Sequence, residues 1–164
     1  MQKTPALLAL ADGSIFRGYA IGAITNHVVG EVVFNTAMSG YQEILSDHSY
    51  RGQIVVFTFP HIGIVGTNPA DNESNGPQVV SCIMHDIAEH DSNWRSQSTL
   101  ITYLKEHHIM ALTGVDTRAL TQHIRTHGAM NGVISTEVED SAAACAIAQQ
   151  APDIGHTDFS VTAT

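Results

Sequence analysis

Chemistry needs side chains of the right kind at the right separation, and this chain of 164 residues offers ten histidines and two cysteines. The densest group is "HDIAEHD", where His85 and His90 bracket two acids. A zinc-binding helix carries its histidines four residues apart, so that one face presents both. Here the separation is five, roughly 140° of rotation on a helix, and in a strand an odd separation puts the two on opposite faces. One element cannot aim both at one ion, so the spacing predicts no metal site. His107 and His108 close a helical pattern, where the partial negative charge of a helix C-terminus suits imidazolium. His123 shares a stripe with Ala119, Leu120 and Ile124 and reads as a packed, hydrogen-bonded histidine.

Nucleophilic catalysis fares no better. A nucleophile needs an exposed, sharply turned position with a base and oxyanion donors beside it. Cys82 sits inside a strand pattern and Cys145 inside an alanine-rich helix pattern, and the Gly-x-Ser-x-Gly or Gly-x-Cys-x-Gly elbow is absent. "GIVGTN" has neither the lysine and spacing of a phosphate loop nor the G-x-G-x-x-G order. Read by their types alone, the residues contain no complete catalytic set. Two polar stretches remain. "SDHSY", Ser46 to Tyr50, reads as a turn in which Asp47 and Ser49 bond the backbone. "FPHIGIVGTN", Phe59 to Asn68, reads as a corner after an apolar run, with His61 a structural or interface residue.

The elements that must position these residues follow from patterning. Ala6–Leu10 and Ser14–Ala20 flank an Asp12-Gly13 turn and predict a hairpin. This reading also disposes of "ALLALA" as a secretory signal, because its apolar core is too short. "EVVFNT" predicts a strand after a corner at Gly30. "SGYQEIL" predicts a short helix capped by Ser39. "QIVVFTF", β-branched and aromatic, predicts a strand buried on both faces. Gly66–Gln78 is a long loop, and "VVSCIMH" resumes a strand. Ser98 is read as the cap of "TLITYLKEHH", followed by a strand at Ile109–Val115. Asp116 caps "TRALTQHIRTH", with Gly128 as a left-handed C-cap. "NGVIST" is a strand, and Asp140 opens "SAAACAIAQQ". The result is a mixed α/β chain with a strand-rich first half beside βα units.

Seven basic against sixteen acidic residues give a formal charge of −9. That charge repels phosphate backbones and anionic membranes, which argues against nucleic acid and membrane surfaces as partners. No apolar run approaches the roughly 20 residues of a membrane span. Two cysteines are too few for a disulfide framework, and the chain reads as cytoplasmic.

Three segments taken together go further. "GEVVFNTAMSGYQEILSDHSYRGQIVVFTFPHIGIVGTN" (Gly30–Asn68), "NWRSQSTLITYLKEHHI" and "GVDTRALTQHIRTHGAMNGVI" (Gly114–Ile134) resemble, in order and over nearly the whole chain, the N-terminal domain of the small subunit of glutamine-hydrolysing carbamoyl phosphate synthase. The resemblance implies a swivelling β/β/α domain over residues 1–152, with 153–164 a tail or the start of a linker to a class I glutaminase domain. That second domain would carry a Cys-His-Glu triad, so the 164 residues are expected to be inactive alone. The implied partners are the large subunit, in a heterodimer, and L-glutamine. ATP and a divalent metal such as Mg would be bound by the large subunit, with no cofactor in this chain, and the product would serve arginine and pyrimidine biosynthesis. The resemblance assigns a glutamine contact to Ser49, whose hydroxyl can donate to a carboxylate and accept from an ammonium. Asp47 is a candidate for the wall of the same site, and His48 stands where the family usually has proline. The alternative is a free-standing interaction module of the same fold without an enzymatic role.

Overall fold

A computed structural model describes residues 4–37, 40–58, 61–62, 76–87 and 94–152, with side chains left out at 61–62, 87 and 94–99. Seven strands close into a barrel: β1 (Thr4–Leu10), β2 (Ile15–Gly22), β3 (His27–Asn35), β4 (Gln53–Phe57), β6 (Ser81–Ile83), β8 (Met110–Thr113) and β9 (Met130–Ser135). Around the barrel the order is β1-β2-β8-β6-β4-β3-β9. The run β3-β4-β6-β8 is parallel, and the remaining contacts are antiparallel. A separate parallel pair joins β5 (His61–Ile62) to β7 (Asp86–Ile87). The helices are α1 (Tyr41–Ser46), α2 (Trp94–Glu106), α3 (Thr117–His127) and α4 (Ser141–Gln150).

The period-2 alternation of strands sorts the barrel residues into two faces. Leu8 and Leu10 of β1, Val32, Ile54, Val56, Ile83, Leu112 and Ile134 meet in one interior cluster, joined by Leu120 and Ile124 of α3. The alternate residues face outward and are covered by helices. Val55, Phe57, Cys82 and Ala111 lie beneath Tyr41 and Leu45 of α1 and Leu100, Tyr103 and Leu104 of α2. Leu7, Ala9 and Val133 lie beneath Ala144 and Ala148 of α4. Each helix therefore buries a stripe at i, i+3, i+4 spacing, and β4 is buried on both faces as its composition predicts.

Several expectations need correction. Gly30 is no corner: it lies within β3 opposite Gly132 of β9, and both glycines fall on the inward-facing alternation. Ser39 lies outside the described residues, and the position preceding α1 is Gly40, with φ 76° and no side-chain cap. Helix α2 begins at Trp94, so Ser98 is inside it rather than its cap. Gly128 has the positive φ expected after α3, but its ψ of 161° is extended rather than left-handed helical. The strand read over 79–85 is confined to Ser81–Ile83. The two halves of the chain do not stand side by side either, since β8 and β9 are staves of the same barrel as β1–β4. The caps at Asp116 and Asp140 are as read: their carboxylates accept from Ala119 N at 3.0 Å and Ala143 N at 3.1 Å. The 66–75 part of the long loop, His90 and the 153–164 tail lie outside the described residues.

Candidate functional site

Between α1 and β4 the chain makes a single tight turn, His48–Tyr50. Asp47, extended at φ −73° and ψ 126°, starts it, and its Oδ1 accepts from Ser49 N at 2.9 Å. Tyr50 N donates to Asp47 O and Arg51 N to His48 O. This is the backbone-bonded turn expected of "SDHSY", with Asp47 as its cap. Side chains in a turn of three residues point roughly 120° apart, so the direction of one sets the others. Tyr50 is half-buried, its ring packed against the outer cluster under α1 and α2. His48 and Ser49 are consequently turned to solvent. The Ser49 hydroxyl has no hydrogen-bond partner among the described residues, so both its donor and its acceptor capacity are available to a ligand.

The turn is fastened to the end of β3. Asn35 Nδ2 donates to the Tyr50 hydroxyl at 2.8 Å, and Asn35 Oδ1 accepts from Ala37 N at 2.7 Å. The Asn35 carbonyl accepts from Thr58 N at 3.2 Å and Thr58 Oγ1 at 3.3 Å. One residue thus ties three segments: the exit of β3, the exit of β4 and the Ser49 turn. Sequence reasoning passed over both Asn35 and Tyr50. Only the position of Asn35 at a strand end and of Tyr50 beside Ser49 hinted at this, and neither reveals a pairing across 15 residues.

A second polar group sits at the β1–β2 turn. His123 Nε2 lies 2.6 Å from Asp12 Oδ2 and 3.3 Å from Ser14 Oγ. The types are those of a serine hydrolase, but the geometry is not. A triad needs hydroxyl and carboxylate on opposite ring nitrogens, whereas both partners here share one. The group is a clasp between α3 and the hairpin, and His123 is the packed, hydrogen-bonded histidine its stripe predicts, with Phe16 and His127 against its ring. Burial pushes the Asp12 carboxyl upward, but the hydrogen bonds from Ser14 N and His123 outweigh it and hold the group below its usual value.

Cys82 is fully buried, and burial pushes its thiol up to about 12. Cys145 is partly exposed on α4. Neither has the turned, electropositive setting of a nucleophile. No group of three or more metal-ligating side chains comes together among the described residues. His85 is exposed, and the His107 ring packs at a tilt against Tyr103, 4.6 Å between ring centres. No helix of the described residues is long and apolar enough to cross a membrane.

Residues 8–134 match the family described as carbamoyl-phosphate synthase small chain, CPSase domain. Among curated relatives, the chain is similar to the carbamoyl phosphate synthase small chain of Nostoc sp., 57% identical over 150 residues, covering 92% of this chain and 38% of that protein. The corresponding protein of Thermosynechococcus vestitus is 60% identical, covering 84% of this chain and 36% of its own. That of Pseudomonas aeruginosa is 56% identical, covering 79% and 34%. The chain therefore spans less than half the length of these curated relatives.

Proposed function

The chain belongs to the carbamoyl phosphate synthase small-chain family, and from that premise we propose that it is the N-terminal domain of a glutamine amidotransferase subunit. In this reading the whole enzyme is a cytoplasmic ligase that makes carbamoyl phosphate for arginine and pyrimidine biosynthesis, with ATP and a divalent metal such as Mg bound by a large subunit. A class I glutaminase domain, joined through the region of 153–164, releases ammonia from L-glutamine. The present domain docks the large subunit and forms one wall of the glutamine site. Neither of its cysteines is placed as a nucleophile: Cys82 is buried, and Cys145 lies within a helix.

The observation that carries the reading is the exposed hydroxyl of Ser49, without a partner among the described residues and directed outward by a turn whose neighbouring ring is anchored. A glutamine presents an α-carboxylate, which accepts hydrogen bonds, and an α-ammonium, which donates them, and one hydroxyl serves either. Asp47 contributes indirectly, since its carboxylate caps the turn through Ser49 N.

The test is Ser49→Ala in the full-length, two-subunit enzyme. A hydrogen bond to a charged group contributes about 1.5–3 kcal/mol, which is on the order of ten- to a hundredfold in affinity. The KM for glutamine should rise toward that range. Synthesis from added ammonia, which bypasses the glutamine site, should be unaffected. An unaltered KM would remove Ser49 from the site.

A further inference from the structure

We propose that Asn35 and Tyr50 are positioning residues for the glutamine-binding hydroxyl, an inference that rests on the reading of Ser49 as a glutamine contact. Among the described residues the Ser49 hydroxyl has no partner, so no hydrogen bond there fixes where it points. Its direction is inherited from the backbone of a one-turn segment, and that segment is held at two places. Asp47 holds the front, through Oδ1 to Ser49 N at 2.9 Å. Tyr50 holds the back, with its half-buried ring on the outer cluster and its hydroxyl accepting from Asn35 Nδ2 at 2.8 Å.

Packing alone leaves a flat ring free to slide along the apolar surface. The hydrogen bond at its far end removes that freedom, because Asn35 is itself immobilised. Its side-chain oxygen accepts from Ala37 N, and its carbonyl accepts twice from Thr58. The chain of connection therefore runs from the paired ends of β3 and β4, through the amide of Asn35 and the phenol of Tyr50, to the backbone that carries Ser49. Since side chains in such a turn are set roughly 120° apart by one backbone, a shift of the Tyr50 backbone re-aims the neighbouring Ser49 Cα–Cβ bond and the hydroxyl it carries.

The decisive experiment uses the full-length, two-subunit enzyme and a double-mutant cycle between Tyr50→Phe and Ser49→Ala. Tyr50→Phe keeps the ring and its packing and deletes only the hydroxyl. Losing one neutral hydrogen bond's worth of positioning should raise the KM for glutamine about three- to tenfold. Asn35→Ala should shift it in the same direction. With Ser49→Ala already present, Tyr50→Phe should change the KM by less than about twofold, because the group being positioned is gone. Ammonia-dependent synthesis measured on the same preparations reports that each variant is folded and assembled. If Ser49→Ala raises the KM and Tyr50→Phe does not, the positioning role is wrong while Ser49 keeps its place. If Tyr50→Phe acts equally in both backgrounds, its hydroxyl works through something other than Ser49, and the inference is again overturned. If Ser49→Ala has no effect, the reading beneath it fails and takes the inference with it.

Discussion

At the scale of single residues, environment decides what each group can do. A thiol reacts as its thiolate, and Cys82, sealed between β4, β8 and α2, is held neutral by burial up to about pH 12. Titration with a thiol reagent at neutral pH should therefore show Cys145 reacting promptly and Cys82 only as fast as the fold opens. Two equally fast thiols would contradict the burial. The same shift has a sign for stability. A group whose proton is held more tightly in the folded state stabilises fully below its unfolded value, 9.0 for this thiol, and that contribution drains away as pH climbs toward 12. Asp12 works at the other end of the scale. Its carboxyl is held below the usual 3.8 by Ser14 N and His123 against the opposing pull of burial. Its contribution is present above that pH and fades as acid protonates the folded carboxyl. The stability difference between the wild type and Asp12→Asn, followed by denaturant unfolding, should narrow as pH falls through 3.8 and below. A gap that stays constant on the acid side would mean that the fold does not hold the Asp12 carboxyl low. The existence of a bonded His123 was legible from its stripe. The identity of its partner was not, because Asp12 is 111 residues away and no local pattern encodes that distance.

At the scale of elements, what was legible was whatever depends on neighbours in sequence. Asp116 and Asp140 cap their helices as read, since a cap is satisfied within three residues. Replacing Asp116 with alanine should lower stability by about 1 kcal/mol, read as a shift in the denaturant midpoint with an unchanged slope. The start of α2 was misplaced because Ser98 satisfies the local rule for a cap, yet the helix continues through it to Trp94. Gly30 and Gly132 were illegible for a different reason. A glycine in a strand reads as a corner until its neighbours across the sheet are known. A Cβ on Gly132 would stand 2.7 Å from Val32 Cγ2 and 3.0 Å from Leu8 Cδ1. The missing methyl is what lets those side chains fill the barrel. Gly132→Ala should then destabilise by about 1–3 kcal/mol through overpacking. A neutral result would show that the interior has slack at that level.

At the scale of the whole molecule, the closed barrel makes distant parts of the chain depend on one another. Mixed α/β composition was readable, and so were most of the strands. The closure was not, because it rests on pairings between residues far apart in sequence. Leu10 of β1 lies opposite Gly132, and Glu31 of β3 lies opposite Asn131, so β9 is the stave that joins the first strand to the third. Remove it and β1 and β3 each lose a row of backbone partners. The interior cluster also loses Ile134, and Leu7 and Ala9 lose Val133 and with it the floor on which α4 rests. Buried backbone groups left unpaired are costly at about 1–3 kcal/mol each, against a total stability of only about 5–15 kcal/mol for a domain. A chain cut before Met130, which loses β9 and α4 together, should therefore fail to fold at all rather than fold with a gap in the barrel. Far-ultraviolet circular dichroism on heating should show no cooperative transition for the cut chain and a single sharp one for the intact chain. A cooperative melt in the shortened chain would mean that β1 to β8 with α1 to α3 form a self-sufficient unit, and that closure by β9 is an addition to the fold rather than its condition.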